Sequence, residues 1–359
     1  MNGKFEEKFL GDLPLVSIII PSFNQGDFIE RTLLSILKQD YPNTEVVVID
    51  GGSTDQTVEI LKRYSNNVRW LSEKDEGYAD AVNKGLDLVR GSIVGIQSSD
   101  DYYNQHAIRE AVELLIRYPE AALVTGKRIH LDCNNQVTMR SNSISPRWID
   151  HWDFLEWTVF PAQDCTFARR DAIETVQGLK KEVDYCADLD LWMRILSLRP
   201  GIIADRFWSF RQHHEDQRDA KQREVFAKDA RRSVELWLES TSFPKELEPF
   251  RLKIKAFGVL RETYYYYHTG LVPEAKESLA EALRLYAPTY EIGPCQRYCI
   301  ELGVRPSLSY RFTRGIRGLL KLLPKSIKDK GLITKNRPAR LIDQGFNHSS
   351  QENPFWYVN

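Results

Sequence analysis

The sequence lacks any apolar run long enough to cross a lipid bilayer, which takes about 18 consecutive apolar residues. Its opening residues, MNGKFEEKFLGDLP, also lack the basic and then apolar order of a secretory signal peptide. These two absences argue against a secreted protein and against a membrane-spanning one. We therefore expect the protein to be cytoplasmic.

Cysteine and excess charge are scarce as well. The five cysteines are odd in number and scattered, which argues against a disulfide framework and favours reduced thiols. The 49 basic and 50 acidic residues leave a formal net charge of −1, so nothing global points to a nucleic-acid partner. With 42% hydrophobic and 28% charged residues, the composition is that of a soluble globular protein.

The first hundred residues alternate apolar runs with helical patterns. Apolar runs typical of buried strands cover 15–23, 44–50, 68–73 and 92–97, and helical periodicity covers 27–39, 53–64 and 78–90. Strands without polar alternation, joined by helices, predict an α/β fold with a mainly parallel sheet flanked by helices. Ligands of such sheets bind at the carboxyl ends of the strands. Asp50 and Asp100 both lie at such ends.

The remainder of the chain changes character twice. Residues 104–215 mix strand and helix patterns, whereas 219–290 is helical and contains one helix–turn–helix similar to a tetratricopeptide pair. A single copy is no array, so we interpret it as a C-terminal helical appendage. The predicted divisions are an N-terminal lead (1–14), a main domain (15–218), the appendage (219–300) and a basic tail (301–359).

The tail is strongly basic. Between 305 and 340 it carries eleven Lys or Arg residues against one acid, Asp329, and includes the amphipathic stretch RGIRGLLKLLPKSIKDK. Such a segment suits peripheral contact with an anionic membrane face. A solvated or partner-binding terminal helix is an equally good interpretation.

The segment VVVIDGGSTDQT ends a strand in Asp50, followed by two glycines. The Asp50 carboxylate can accept a hydrogen bond from a nucleobase N–H or a ribose hydroxyl, or it can cap the donors of its own turn. A phosphatase of the haloacid dehalogenase type would need an acid at position 52. Gly52 stands there, which excludes that chemistry.

Two further segments carry carboxylates or imidazoles at suggestive positions. In SSDDYY, Asp100 and Asp101 suit a hard cation such as Mg²⁺ or Mn²⁺, and alternation along an extended segment leaves one of them as the direct ligand. A solvated turn is the alternative. In FRQHHEDQRD, His213 and His214 can complete a metal shell or lie at the surface.

The segment EVDYCADLDLWMRIL is predicted to be helical. Its spacing puts Asp184, Asp188 and Leu191 on one side of the helix, with Asp190 elsewhere. A carboxylate near a helix N-terminus is stabilised as an anion and can serve as a general base. An ordinary acidic first turn would look the same.

Taken together and in order, these segments resemble the family 2 glycosyltransferases, inverting enzymes with the nucleotide-sugar-binding GT-A fold. The resemblance runs from VSIIIPSFNQGDF through VVVIDGGSTDQT, SEKDEGYADAVNKGL and GSIVGIQSSDDYY to QDCTFARRDAI and CADLDLWMRI, over about residues 15–215. It implies transfer of a sugar from a nucleoside diphosphate, with a divalent cation, Mg²⁺ or Mn²⁺, on the diphosphate.

The resemblance also implies roles for particular residues. Those that it places against the donor are Pro21, Ser22, Phe23, Asp50, Asp80, Ser99 and Asp100. Asp100 matches the last Asp of the family's DxD metal motif, and His213 matches a His in the pattern FR.H, so both are expected metal ligands. Asp188 matches the Asp of the family's ED pair, the expected base. Gln163, Arg169 and Arg170 match a Q…F.RR pattern beside the acceptor cleft.

Four positions depart from the family pattern. Ser98, Gly51, Val82 and Ala187 stand where many relatives have Asp, Asp, Arg and Glu. Lys84 is expected to supply the positive charge missing at position 82, and Asp184 the support missing at position 187. The same changes occur among relatives with the IDGGSTD signature, so activity is still expected.

The resulting expectation is an inverting glycosyltransferase. It would move a sugar from a UDP-, GDP- or dTDP-sugar to a hydroxyl of a glycan or lipid-linked acceptor by single displacement. The alternative is a catalytically weak, nucleotide-sugar-binding scaffold subunit of a polysaccharide assembly system. Nucleotidyl transfer would need a glycine-rich phosphate loop after the first strand, and PSFNQGDF is not one.

Overall fold

The computed structural model describes residues 13–142, 144–156, 158–215, 217–218, 222–291 and 295–304. These residues form two compact units: the first contains the described residues up to 151 and 160–217, and the second contains 152–159 and those from 218 onwards. The basic segment 305–340 lies outside the described residues, so its predicted membrane contact stays a prediction. Among the described residues, no helix is both long and apolar enough to cross a membrane.

The first unit is built on one mixed sheet. Its strands are Val16–Ser22 (β1), Thr44–Asp50 (β2), Arg69–Ser72 (β3), Ile93–Ile96 (β4), Tyr102–Tyr103 (β5), Leu123–Leu131 (β6), Val137–Arg140 (β7), Arg147–Ile149 (β8), Thr166–Arg169 (β9) and Gly201–Gln212 (β10). The spatial order is β3-β2-β1-β4-β9-β6-β10-β5, with β7 on β6 and β8 on β10. The first four strands are parallel to one another, which confirms the predicted parallel sheet for this half.

Helices cover the sheet. Up to residue 198 the helices are Ile29–Leu37 (α1), Thr57–Arg63 (α2), Tyr78–Leu88 (α3), Ala107–Arg117 (α4), His151–Leu155 (α5), Arg170–Thr175 (α6) and Ala187–Leu198 (α7), of which α5 belongs mainly to the second unit. In α4, for example, Ile108, Val112 and Leu115 share one face and are fully buried. The predicted α/β class with flanking helices is confirmed. Asp27 does not cap α1, because the helix begins after Phe28 without a side-chain cap.

The parallel strands are apolar because both of their faces are covered. Val16, Ile18, Ile19 and Ile20 in β1 are all fully buried, as the unbroken apolar run predicted. Their carboxyl ends form one edge of the sheet, where Ser22, Asp50 and Ser72 stand in register across three neighbouring strands. This edge is the expected ligand side of the sheet.

Strand β9 runs against its neighbours. It pairs antiparallel with both β4 and β6, so that Phe167 faces Gly95 and Arg169 faces Ile93. The segment before β9 therefore lies at the carboxyl edge of β4, while the end of β9 lies at the opposite edge. The first and last residues of the Q…F.RR pattern, Gln163 and Arg170, are therefore separated by the length of β9.

The predicted long helix around Asp188 is broken. Residues Lys181–Cys186 form a 3₁₀ segment with non-helical backbone at Val183, and α7 begins only at Ala187. Asp184 therefore does not share a helix face with Asp188 and Leu191, and that prediction was wrong. Asp184 instead accepts a hydrogen bond from the Ala79 N–H at 2.6 Å, at the start of α3.

A buried ion pair within α7 positions Arg194 against the loop that follows α6. Asp190 accepts from Arg194 at 2.8 Å, and Arg194 also donates to the Val176 and Gly178 carbonyls, the latter at 2.7 Å. Both charged side chains are buried. Removing one partner of such a pair leaves an uncompensated charge in the interior.

We expect Asp190→Ala to lower the free energy of unfolding by about 3–5 kcal/mol, because Arg194 would then lose its counter-charge inside the core. Urea unfolding followed by circular dichroism measures the change. Asp171→Ala is the matched control, because the pair between Asp171 and Arg199 is exposed and worth at most about 1 kcal/mol. Equal losses in the two variants would contradict the importance of the buried pair.

The second unit is helical. Its longer helices are Arg223–Glu239 (α8), Arg251–His268 (α9) and Val272–Leu285 (α10), followed by Cys295–Glu301 (α11). Helix α9 and α10 form the expected helix–turn–helix, with Gly270 at φ 79° in the turn. Arg231 of α8 ties three helices together, since it donates to Glu262 at 3.2 Å and to both oxygens of Glu281.

Candidate functional site

The turn after β2 is organised by the carboxylate of Asp50. One oxygen accepts from the N–H groups of Gly52 at 3.2 Å and Ser53 at 2.9 Å and from the Ser72 hydroxyl at 2.6 Å; the other accepts from the Ser53 hydroxyl. Asp50 is fully buried. Gly52 has φ +82°, a conformation that glycine adopts without strain. These hydrogen bonds assign Asp50 to building the turn, and its contact with a nucleoside stays a prediction.

The end of β1 presents the three residues expected in the base and ribose pocket. Phe23 is 57% exposed, and Ser22 is buried with no partner for its hydroxyl among the described residues. Pro21 pairs with Ile49, and the Gly51 N–H donates to the Ser22 carbonyl at 2.8 Å. An exposed aromatic ring and an unpaired hydroxyl at the carboxyl edge suit a ligand.

Asp80 lies in the first turn of α3 between two lysines. Its carboxylate is 2.5 Å from the Lys181 ammonium and 3.4 Å from that of Lys84. The hydrogen bond from Lys181 holds the pKa of Asp80 below its ordinary value. Lys84 also pairs with Glu73 at 2.7 Å, so its charge, expected to replace a missing arginine, already has two acidic partners.

The adjacent acids after β4 take different roles. Asp101 is buried and accepts from the Gln212 N–H at 3.0 Å, which gives it a structural role. Burial, with Asp100 and Asp164 adding to it, raises the pKa of Asp101 well above its ordinary value. The hydroxyl of Thr32 holds the loop by donating to the Ser99 and Asp101 carbonyls, at 2.9 and 2.6 Å.

His214, and not His213, lies beside Asp100. His214 Nε2 is 3.0 Å from Asp100 Oδ2, whereas His213 Nε2 is 2.8 Å from Nδ1 of His130. The His213 N–H extends the β10–β6 pairing by donating to the Leu131 carbonyl, so alternation sends the next side chain to the other face. Burial lowers the pKa of His130 to about 4, which keeps that imidazole neutral at pH 7.

The pair of Asp100 and His214 fits a divalent cation that is shared with a phosphate ligand. Nδ1 of His214 is buried without a partner among the described residues, which leaves the ring free to change its hydrogen bonding. Carboxylate oxygen and imidazole nitrogen are donors that Mn²⁺ accepts. Among the described residues, no group of three or more His, Cys, Asp and Glu side chains could hold a metal. Oxygen atoms of the substrate would therefore have to complete the coordination shell of the cation.

Asp188 is the second residue of α7, and the charges of two arginines act on its carboxylate. Its carboxylate is only partly exposed and accepts from the Leu189 N–H at 2.8 Å. Burial raises the pKa of Asp188, and the hydrogen bond from the Leu189 N–H, followed by the charges of Arg128 and Arg211, partly offsets the rise. The same two arginines, against the effect of burial, hold the pKa of Asp164 below its ordinary value, and Arg211 also acts on Asp101. Asp188 and the loop of Asp100 thus share one charged neighbourhood.

The Q…F.RR motif is split by the antiparallel course of β9. Gln163 Nε2 lies 3.3 Å from the Ser98 hydroxyl, next to Asp100. Arg169 instead donates to the Ala121 and Leu115 carbonyls at the opposite edge of the sheet, and Arg170 pairs with Glu174. The prediction that Arg169 and Arg170 line an acceptor cleft was therefore wrong.

Sequence reasoning missed Arg128, Arg211 and Asp164. Arg128 donates to Asp164 at 3.0 Å, and the two residues stand on β6 and just before β9, far apart in the sequence. The only signal was their neighbourhood: Asp164 follows Gln163, and Arg211 precedes the two histidines. The position of a single charged residue in the sequence does not show where its charged group will lie in the fold.

The family model described as Glycosyl transferase family 2 matches residues 17–177. The chain is 30% identical over 188 residues to the putative teichuronic acid biosynthesis glycosyltransferase TuaG of Bacillus subtilis, covering 51% of this chain and 72% of that protein. It is 27% identical over 209 residues to the chondroitin synthase of Escherichia coli, covering 55% of this chain but only 29% of that protein.

Solved structures share the fold. Staphylococcus aureus TarS 1–349 in complex with UDP-GlcNAc superposes with a TM-score of 0.61 at 20% identity, over 76% of this chain and 81% of that one. The mannosyltransferase PcManGT from Pyrobaculum calidifontis, in complex with GDP-Man and Mn²⁺, gives 0.55 at 19% identity, over 87% and 89%. At such identities these likenesses show the fold alone, and they confirm the predicted GT-A architecture.

Proposed function

Because this chain belongs to the family 2 glycosyltransferases, we propose that it transfers a sugar from a nucleoside-diphosphate donor to a hydroxyl of a glycan or lipid-linked acceptor. The observation that carries the proposal is the neighbourhood of Asp100 and Asp188. One carboxylate lies beside an imidazole and the other is a partly buried acid near two arginines. Neighbours in complex with UDP-GlcNAc and with GDP-Man support the donor class.

The donor diphosphate is proposed to bind at the carboxyl edge, beside the loop of residues 98–101. Asp100 and His214 would hold the divalent cation there. When bound, the cation would neutralise the negative charge that the diphosphate gains as the glycosidic bond breaks. Mn²⁺ in one structural neighbour supports metal use of this kind.

Asp188 is proposed to take the proton of the acceptor hydroxyl. Its raised pKa makes it a stronger base than an ordinary aspartate, and the hydrogen bond from the Leu189 N–H fixes its position. The hydroxyl oxygen then attacks the anomeric carbon as the bond to the diphosphate breaks on the opposite face. A single displacement of this kind inverts the configuration at that carbon.

A thermal-shift screen of nucleoside diphosphates with Mn²⁺, followed by turnover of the matching nucleotide-sugar, tests the proposal. A ligand that binds only the folded protein raises its apparent stability. We expect one nucleoside to stabilise the protein and its sugar conjugate to be hydrolysed slowly without acceptor. Tight binding with no turnover across acceptors would favour the scaffold subunit, and no binding at all would overturn both.

The acid limb of the pH profile of kcat/KM should lie above the ordinary range of an aspartate. The base must be deprotonated, and burial raises the pKa of Asp188, so the rate falls as the pH drops through that raised value. The measurement is donor turnover at saturating Mn²⁺ against pH. A rate that stays constant down to the ordinary aspartate value of 3.8 would exclude Asp188 as the base.

A further inference from the structure

The Asp75 carboxylate occupies the space that a side chain at position 51 would fill. A Cβ added to Gly51 would lie 2.7 Å from Asp75 Oδ2 and 3.1 Å from its Cγ. The Asp75 carboxylate comes from the loop between β3 and α3.

This place lies at the carboxyl edge, one strand from the end of β1. The Gly51 N–H donates to the Ser22 carbonyl at 2.8 Å, and next along the chain comes Phe23, whose ring is exposed. The order β3-β2-β1 puts Gly51 between the loop of Asp75 and the residues Ser22 and Phe23. A planar ligand that lies over Gly51 would contact the Asp75 carboxylate on one side.

The Asp75 carboxylate has acceptor capacity to spare. Its hydrogen bond within the described part of the chain comes from the Gly77 N–H at 3.0 Å, to Oδ1, and no described cation lies in salt-bridge contact with it. Burial, together with Asp80 and Asp184, raises the pKa of Asp75, although Gly77 and Lys84 oppose the rise. An N–H donor from a ligand would therefore stabilise the ionised form.

We propose that Asp75 recognises the base of the donor nucleotide. Its carboxylate would accept a hydrogen bond from the ring N–H of uracil, thymine or guanine. Cytosine and adenine present an unprotonated ring nitrogen at the equivalent position, which a carboxylate repels. The inference rests on the proposed function and adds to it the residue that selects the nucleoside.

The test is the affinity of UDP, GDP, CDP and ADP, measured by calorimetry with Mn²⁺. We expect the unchanged protein to prefer UDP or GDP. Asp75→Ala should weaken that ligand about 10- to 100-fold, the worth of a hydrogen bond to a charged group, while CDP and ADP change little. Gly51→Ala should act in the same direction, because its methyl group displaces the Asp75 carboxylate.

Glu76→Gln is the matched control, since this neighbouring acid is exposed and its loss changes the net charge equally. Asp75→Asn distinguishes uracil from guanine. The amide oxygen can still accept from the uracil ring N–H while the amide NH₂ donates to a uracil carbonyl. Guanine presents two N–H donors, and the amide NH₂ would face one of them, so guanine should bind more weakly. If Asp75→Ala keeps the original base preference, the assignment of Asp75 is wrong while the proposed function stands. If the unchanged protein binds none of the four, the proposed function fails first.

Discussion

Asp188→Asn is expected to reduce sugar transfer about 10²- to 10⁴-fold, the usual contribution of a general base, while the affinity for the donor nucleoside diphosphate stays unchanged. Asparagine has nearly the same shape and keeps an oxygen that can accept from the Leu189 N–H. It cannot take the proton of an acceptor hydroxyl. The change therefore removes the chemistry and keeps the position of the side chain.

Two measurements on the same preparation check this result: turnover of the donor found by the thermal-shift screen, and calorimetric titration with its nucleoside diphosphate. Glu182→Gln is the matched control, because this acid lies exposed on the preceding 3₁₀ segment. A parallel loss of diphosphate affinity in Asp188→Asn would argue against a base. It would indicate that the carboxylate helps to form the donor site instead.

Asp100→Ala is expected to remove the gain in nucleoside-diphosphate affinity that Mn²⁺ provides, a loss of about 10- to 100-fold. Affinity without the metal should change little, because the base and ribose are proposed to bind elsewhere along the edge. Titrations with and without Mn²⁺ give both numbers. Turnover that persists unchanged in chelator in this variant would overturn the metal assignment.

The neighbouring histidines give this prediction a matched pair of variants. His214→Ala should weaken the Mn²⁺-dependent gain, since His214 Nε2 lies 3.0 Å from Asp100. His213→Ala should leave it intact, since His213 pairs with His130. The reverse result would restore the ligand that the FR.H pattern favours.

Much of the first unit could be predicted from its sequence because its strands are buried on both faces. The runs VSIIIPS and TEVVVID are short and rich in β-branched residues, which favours strands covered on both faces, and the helix between them follows from its apolar spacing. Asp50 and Asp100 were placed correctly at the carboxyl edge for the same reason. The direction of each carboxylate was not predictable, because it depends on donors such as Ser72 that come from other strands.

The errors have local causes that a pattern does not show. The register of β10 shifts twice, between Ile203 and Phe207 and again before Ser209, so counting along the strand does not tell which histidine faces Asp100. The non-helical residue Val183 separates Asp184 from α7. The antiparallel direction of β9 moves two arginines to the far edge, since the sequence of a strand is silent on its direction.

The hydrogen bond between Asp184 and Ala79 has a consequence for engineering. The segment that precedes the helix of the proposed base is a target for grafting when a different acceptor is wanted. In this protein the 3₁₀ segment before α7 also caps the first turn of α3, the helix that carries Asp80. A transplanted segment must therefore keep a carboxylate at position 184, because its loss would also disturb the start of α3.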